Sequence, residues 1–254
     1  MIYSPQEIEI LREGGARLAR VLRLVSEKVV PGVSASELDN YAEELIREAG
    51  DEPAFKGYKP DPKGPAYPAT LCVSINNEIV HGIPWKETII QEGDIVSLDC
   101  GVTHNGLITD SAITVPVGNI SEEAKKLIIA TEEALAHAIA QAVNGNRIGD
   151  IASIIDETVS KAGFGVIEEL AGHGVGHVVH EAPVIPNVGK AGTGPMIKEG
   201  QVLAIEVMTA LSTRHGNLLD DGFTFVTEDG SLSSHAEHTI VVTREGGEIL
   251  SKER

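Results

Sequence analysis

Five residues of this chain have the side chains and sequence contexts expected of ligands for divalent metal ions. They are spread over both halves of the sequence: Asp99, Asp110, His173, Glu206 and Glu237. Four carboxylates and one imidazole form an oxygen-rich donor set, and such hard donors suit a pair of divalent cations. The pattern therefore predicts a hydrolase that works with two metal ions.

The first two acids lie in neighbouring strand-like segments. The apolar runs 95–101 and 107–113 flank a short polar turn, which is a strong hairpin signal. If the turn centres on His104 and Asn105, the two aspartates face each other; if it centres on Asn105 and Gly106, they are diagonal neighbours. An arbitrary pair of acids would point to solvent, but an unpaired carboxylate inside an apolar run is costly. A shared cation would reduce both the repulsion between the two carboxylates and the free-energy cost of burying them.

The two glutamates repeat this arrangement. Glu206 is the one carboxylate in the apolar run 202–208, and Glu237 lies in a second such run, 235–242. Between them, the segment 223–227 and the turn after it predict a hairpin, which would place the glutamates on neighbouring strands of one sheet. Either glutamate alone could be a structural acid satisfied by a cap or an arginine. Four acids that each lie inside an apolar, strand-like run are much less expected by chance than one, so the pattern favours one common site.

Further motifs surround the acids in a fixed order. They are Leu71–Pro84, the strands of Asp99 and Asp110, Gly172-His173-Gly174, the strand of Glu206, Asp229-Gly230-Ser231 and Glu237-His238-Thr239. Together they resemble the methionine aminopeptidases, which remove the N-terminal methionine from nascent proteins and peptides. The resemblance extends from about Glu7 to Thr243, and the short leader before it is similar to that of the type I form.

The resemblance implies a role for each site residue. The metal ligands would be Asp99, Asp110, His173, Glu206 and Glu237. The two ions would be Mn, Fe or Co, with Zn as a further option, and they would activate the attacking water. Glu206 would take up the proton that this water releases. His180 would stabilise the developing oxyanion and His81 would lie near the scissile nitrogen, neither of them binding metal.

The same resemblance identifies the residues that contact the first side chain of the substrate. Cys72, Val179 and Phe223 occupy these pocket positions, joined by Tyr58 or Tyr67 from the irregular loop before them. Val179 stands where a bulky aromatic is common, and Phe223 where tryptophan is common. These departures leave the metal ligands intact but predict a wider pocket that discriminates methionine less sharply.

Two other positions depart from the family pattern: Val207 stands where proline is usual and His177 where arginine is usual. His177 follows His173 by four residues, the spacing of a zinc-binding helix. Gly174 and Gly176 make a helix poor there, and the glutamate of that motif is missing. His177 is therefore predicted to be a polar loop residue, or a residue that contacts a metal ligand, rather than a ligand itself. The remaining histidines are predicted to be surface, turn or hydrogen-bonded core residues: His104, His137, His215, His235 and His238.

Capping and turn signals predict the elements that must position these residues. Ser4–Glu7 begins one helix, and Ser34–Glu37 begins a second that ends near Gly50. Two further helices are predicted over about 121–143 and 148–162. Helix, helix and hairpin thus occur twice, which predicts an α+β fold of two duplicated halves. The resemblance implies that the halves form a curved antiparallel sheet with helices outside, the pita-bread fold.

Composition sets the remaining expectations. One catalytic metallopeptidase domain is expected over residues 1–254, with Pro53–Pro68 as a loop at the cleft mouth. Cys72 and Cys100 are predicted to be buried thiols. The net charge of −18 argues against nucleic-acid binding, and no signal peptide or membrane span is evident. Few cysteines and no signal peptide predict a cytoplasmic protein. The resemblance implies that it acts as a monomer on the N-terminal methionine of nascent chains, with the ribosome as a candidate partner.

Two alternatives stay open on the sequence. An Xaa-Pro peptidase or creatinase-like enzyme shares the implied fold, although such enzymes usually carry an additional N-terminal domain. A peptide-binding relative that has lost its metals should show a broken ligand set. This chain has all five ligand residues.

Overall fold

Four helices lie outside a large sheet in the computed structural model, which describes residues 1–253. The helices are α1 Pro5–Ser26, α2 Ala35–Glu48, α3 Glu122–Gln141 and α4 Ile148–Lys161. Capping boxes begin α1 and α2, as predicted. The Ser4 hydroxyl accepts a hydrogen bond from the Glu7 N–H, and the Glu7 carboxylate accepts one from the Ser4 N–H; Ser34 and Glu37 repeat the pattern.

The second pair of helices agrees with the predicted bounds to within two residues. Ser121 caps α3 by accepting a hydrogen bond from the N–H of Ala124. Gly163 follows α4 with a φ of +88°, a left-handed conformation that ends a helix and favours glycine. In the described part of the chain, no helix combines the length and the apolar sequence that crossing a bilayer requires.

The strands form one large antiparallel sheet and one small one. They are β1 Glu52–Pro53, β2 Leu71–Ile75, β3 Glu78–Val80, β4 Ile95–His104, β5 Leu107–Pro116, β6 Gly165–Val166, β7 Ala171–Gly174, β8 Glu181–Pro186, β9 Val202–Ala210, β10 Gly216–Leu218, β11 Phe225–Thr227, β12 Ser233–Val242 and β13 Gly247–Ile249. The main order is β1-β4-β5-β12-β9-β7-β8, with β2 beside β4, β6 beside β9 and β13 beside β12. The predicted halves meet where β5 pairs with β12.

Alternation along the strands decides which face carries the acids. Leu98 and Cys100 of β4 pack against α1 and α2, so Asp99 between them points to the other face. Ile205 and Val207 of β9 pack against α3 and α4 and leave Glu206 on that same opposite face. The helices therefore cover the back of the sheet, and the acids converge on its front.

The predicted hairpin at residues 223–227 is wrong. β9 and β12 pair directly with each other over nine residues, from Ser233 opposite Ala210 to Val241 opposite Val202. The segment between them instead places β11 in the small sheet, between β10 and β3. Since β9 already occupies one edge of β12 and β5 the other, β11 finds its partners elsewhere. The two glutamates still lie on neighbouring strands, as predicted.

Candidate active site

A cleft on the front of the sheet brings the predicted site residues together. All ten line this cleft: Cys72, His81, Asp99, Asp110, His173, Val179, His180, Glu206, Phe223 and Glu237. Phe55, Tyr58, Pro60 and Tyr67 complete the wall. These four belong to the irregular stretch after β1, which therefore borders the cleft.

Asp99 and Asp110 lie on the adjacent strands β4 and β5. The turn centres on Asn105 and Gly106, so Asp110 pairs with Gly101 and the aspartates are diagonal neighbours. Both are buried, and Oδ1 of each has no hydrogen-bond partner within the described residues. Burial raises the pKa of Asp99 to about 6; burial and the charge of Asp99 raise the pKa of Asp110 well above its usual value. Two buried carboxylates in this arrangement attract positive charge.

Glu206 and Glu237 face each other directly on β9 and β12. Glu237 also lies opposite Ala112 of β5, so the four acids occupy four consecutive strands. Burial and the charges of the neighbouring acids raise the pKa of Glu237 well above its usual value. Burial acts in the same direction on Glu206, but His235 and His173 outweigh it and the pKa of Glu206 is lowered. Glu206 is therefore the most readily ionised of the four.

His173 lies on β7, where glycines allow the neighbouring strands to approach closely. A Cβ atom at Gly172 would lie 2.6 Å from the carbonyl oxygen of Ala204 on β9. A Cβ atom at Gly174 would lie 2.5 Å from the carbonyl oxygen of Ala182 on β8. Any larger residue would push these strands apart, so the glycine run explains how an imidazole reaches the acids from the fifth strand.

The donor atoms of this cluster fit metal ions. Nδ1 of His173 lies 2.9 Å from the carbonyl oxygen of Gly174, which can only accept, so Nδ1 carries the proton and Nε2 presents its lone pair. One ligand atom each from Asp110, His173 and Glu237 lie within 4.8 Å of one another. Oε1 of Glu237 joins the aspartate oxygens that lack partners among residues 1–253. Because buried polar atoms are normally paired, these oxygens and this nitrogen fit divalent cations.

His81 adopts a backbone conformation that is uncommon for any residue except glycine. Its φ is +60°, immediately after β3. Gly82 fixes this turn against β2: its N–H donates to the Ser74 hydroxyl at 3.1 Å, and its carbonyl oxygen accepts from the Val73 N–H at 2.9 Å. Desolvation lowers the pKa of His81, which favours the neutral ring. Backbone outliers of this kind are concentrated at functional sites.

His180 forms the cleft wall beside His173. The two rings are edge to face, with centroids 4.4 Å apart. The hydroxyl oxygen of Tyr58 lies 2.7 Å from Nδ1 of His180, and when the phenol donates this bond, Nε2 carries the ring proton. His180 is exposed to solvent on the cleft wall, yet partial desolvation of its ring lowers its pKa to about 4. The ring is therefore neutral near pH 7.

An apolar pocket adjoins the acids. Cys72 is the strand partner of Asp99, and Phe223 stands edge-on to Tyr67 with ring centroids 5.3 Å apart. Val179 is buried in the same apolar cluster. Burial raises the pKa of the Cys72 thiol well above its usual value, so this side chain presents a neutral surface. As predicted, both cysteines are buried and free.

The N-terminal segment anchors the loop that carries Val179 and His180. The Tyr3 hydroxyl donates to the Glu181 carboxylate at 3.1 Å, and Glu181 also accepts from the N–H of His177 at 2.8 Å. The His177 ring stacks on Tyr3, with centroids 5.1 Å apart. His177 therefore contributes to the loop's support and lies outside the acid cluster, which agrees with its prediction as a loop residue.

The sequence-based prediction is wrong for His235. The other four histidines of that group are hydrogen bonded: His104 to Asp51, His137 to Thr158, His215 to Glu169 and His238 to Ser251. The ring of His235 is buried without a hydrogen-bond partner in the described residues, and its Nε2 lies 3.5 Å from Oε2 of Glu206. The sequence feature that could have identified His235 as part of the site is its position two residues before Glu237, which places both side chains on the same face of β12.

Comparison with known proteins identifies the family. The sequence profile of Metallopeptidase family M24 matches residues 9–244. The chain belongs to metallopeptidase family M24. Within M24 it is 46% identical to the methionine aminopeptidase of Aquifex aeolicus over 255 residues, which cover 99% of this chain and 98% of that protein. It is 45% identical to the methionine aminopeptidase of Clostridium perfringens, with the same coverage of both chains.

The solved structures agree with this assignment. The crystal structure of a methionine aminopeptidase from Thermotoga maritima matches the M24 chain with a TM-score of 0.95 at 43% identity, covering 100% of this chain and 99% of that one. The resemblance to the methionine aminopeptidases is thereby confirmed. So is the α+β pita-bread fold, a curved antiparallel sheet with helices outside.

Proposed function

We propose that this chain is a metal-dependent aminopeptidase that removes the N-terminal methionine from peptides and nascent proteins. The observation that carries the proposal is the convergence of four acids, three of them buried, and His173 beside an apolar pocket. The pocket would take the first side chain of the substrate, and the acids would hold the metals next to the first peptide bond. Membership in M24 supports the same class of reaction.

The acids and His173 would hold two divalent cations. Because oxygen donors outnumber nitrogen donors in this set, Mn, Fe or Co is the expected metal, and Zn is compatible with it. The proposed ligands are Asp99, Asp110, His173, Glu206 and Glu237. When bound, the ions supply Lewis acidity to the substrate carbonyl and lower the pKa of water in the site.

Three side chains would handle protons and charge. Glu206 is readily ionised, so a carboxylate oxygen can accept the proton of the attacking water. His180 would direct its Nε2–H to the carbonyl oxygen, where negative charge develops. His81 would contact the scissile nitrogen. Because both rings are neutral, they can donate hydrogen bonds without adding positive charge next to the cations.

The proposal extends to the cellular setting. Nascent chains present their N-terminal methionine at the ribosome, so the ribosome is a proposed partner and the cytoplasm the proposed location. We propose that the protein acts there as a monomer. The net charge of −18 supports a protein that binds neither nucleic acid nor anionic membranes specifically.

The deciding experiment compares three peptides with the metal-loaded protein. Met-Ala-Ser should release free methionine fastest, Leu-Ala-Ser should react more slowly, and Ala-Pro should persist. Preferential hydrolysis of Ala-Pro would contradict the proposal in favour of an Xaa-Pro peptidase. Absence of hydrolysis with every metal tested would contradict it in favour of a non-catalytic relative.

The residue at position 179 should set how sharply methionine is preferred. Val179 is 3% exposed, within the apolar cluster that includes Phe55, Tyr67 and Cys72. A larger aromatic side chain at this position would narrow the pocket and offer the sulfur an aromatic contact. Val179→Phe is therefore expected to raise the ratio of kcat/KM for Met-Ala-Ser over Leu-Ala-Ser by about tenfold, the lower end of the range of about 1–3 kcal/mol that such pocket changes are worth.

The neighbouring Val178 provides a matched control for this substitution. It is 52% exposed and outside the residues that line the cleft, so Val178→Phe should leave the ratio unchanged. A ratio that is also unchanged in Val179→Phe would show that residue 179 does not line the pocket.

A further inference from the structure

His235 is a buried imidazole for which the proposed mechanism has no role. Its side chain is 2% exposed, and neither ring nitrogen has a hydrogen-bond partner among residues 1–253. A buried polar group in this condition is uncommon, because water has been lost and nothing replaces it. The four other histidines for which no site role was predicted all have a hydrogen-bond partner: His104, His137, His215 and His238.

The position of His235 on β12 directs its ring at the proposed ligands. It lies two residues before Glu237, on the same face of the strand, and its strand partner is Met208, two residues after Glu206. Nε2 lies 3.5 Å from Oε2 of Glu206 and 4.0 Å from Oε2 of Glu237. The cleft is lined by both glutamates but not by His235, so the imidazole lies beside the acids on the front of the sheet without lining the cleft.

The two oxygens of Glu206 face different histidines. Oε1 lies 3.6 Å from Nε2 of His173, which presents a lone pair because its proton is on Nδ1. Oε2 lies towards Nε2 of His235, which can carry a proton because it has no hydrogen-bond partner among residues 1–253. If Oε2 of Glu206 accepts a hydrogen bond from His235, the carboxylate cannot rotate freely. Oε1 then stays directed at the other proposed metal ligands. At 3.5 Å the approach is slightly longer than an ordinary hydrogen bond, as is common at catalytic groups before ligands bind.

We propose that His235 is a positioning residue that donates a hydrogen bond from Nε2–H to Oε2 of Glu206 and so orients this carboxylate. The role rests on the proposed function, in which Glu206 is both a metal ligand and the base. His235 acts through Glu206 and touches neither substrate nor metal. Groups that orient metal ligands in this way typically change metal affinity or activity by about 10–100-fold when removed.

The first measurement is made on the unmodified protein. The protonation of the imidazole nitrogens is read from a long-range ¹H–¹⁵N correlation spectrum of metal-free protein with ¹⁵N-labelled histidine. The His235 signals are assigned by their absence from the spectrum of His235→Gln. A proton on Nε2 is the expected result. An Nε2 without a proton would overturn the proposal, because this nitrogen could not then donate to Glu206.

The second measurement compares His235→Leu with His235→Gln. Leucine fills the space without a donor, whereas the glutamine amide can donate from nearly the place of Nε2. His235→Leu is expected to bind Mn and Co about 10–100-fold more weakly, with kcat reduced by a similar factor and KM for Met-Ala-Ser within about threefold. His235→Gln should recover both metal affinity and kcat to within about threefold of the parent.

His238→Leu is the matched control, because His238 lies on the same strand but contacts Ser251 on the opposite face. It should lower the melting temperature and keep metal affinity within about threefold of the parent. Parent-like metal affinity and kcat in His235→Leu would overturn the proposal. If the parent protein itself cleaved no peptide, the proposed function would fail, while the nitrogen spectrum would still decide the contact between His235 and Glu206. Should His235→Leu not fold, the spectrum and His235→Gln remain decisive.

Discussion

Asp110→Asn and Glu206→Gln are each expected to reduce turnover of Met-Ala-Ser on the order of 10³-fold or more while the protein stays folded. The metals are worth several kcal/mol of transition-state stabilisation, and each substitution removes an anionic ligand from a cluster of only five. Both changes keep the shape of the side chain. Asp110→Asn also reduces repulsion among the acids, so its metal-free form should melt at or above the temperature of the metal-free parent. Glu206→Gln removes a carboxylate whose ionised form His235 and His173 favour, so its metal-free form should melt at or below that temperature.

Metal content and melting temperature, measured on the same samples, check this expectation. Exhaustive chelation of the parent should give the same loss of activity, and Mn, Fe or Co should restore it. Asp156→Asn on α4 and Glu132→Gln on α3 are matched controls, since both acids lie on the outer helices away from the cleft. Full turnover by exhaustively chelated protein would contradict the two-metal mechanism.

Local signals predicted most of the frame that holds this site. The helix starts depend on contacts between residues three apart, such as Ser4 with Glu7, so a short stretch of sequence contains all the information. The hairpin of β4 and β5 is equally local, and its two possible registers were both visible in the sequence. The structure selects the register centred on Asn105 and Gly106, where left-handed φ values of 47° and 82° suit a tight turn.

The elements that the sequence did not predict depend on distant partners. Residues 223–227 carry a strand pattern and a turn signal, but β11 pairs with β10 shortly before it and with β3, about 145 residues earlier in the chain, and not with the strand after the turn. β9 and β12 also pair across an insertion that no local pattern identifies as one. A single sequence does not show which of several possible strands pairs with the edge of another strand.

The site itself was predicted more completely than its surroundings. Each ligand type and its strand context could be read from the sequence, and all five converge in the structure. His235 was missed because a histidine without metal-ligand spacing is usually a core or surface residue. Alternation along the predicted strand 235–242 places it on the same face as Glu237, but the sequence does not show that its ring reaches Glu206 on β9.

The last expectation separates the metal ligands from the two other histidines of the cleft. His81→Ala and His180→Ala should retain their bound metal and lose about 10²–10⁴-fold in kcat, which is the usual size of a proton-transfer or oxyanion contribution. His173→Ala is the reference for a lost ligand, because its free Nε2 lies within the acid cluster. Elemental analysis of the three purified variants, beside their kcat values, makes the comparison.

Backbone strain at His81 requires a control of its own. With φ at +60°, alanine at this position carries a conformational cost that glycine does not, so His81→Gly removes the imidazole without that cost. The two variants should lose kcat equally if the loss comes from the missing imidazole and not from the backbone.

Tyr58→Phe tests the support of His180 in the same way, because it removes the hydroxyl beside Nδ1 and leaves the ring in place. If His81→Gly or His180→Ala lost metal as completely as His173→Ala, its histidine would be a ligand and the proposed division of roles would be wrong.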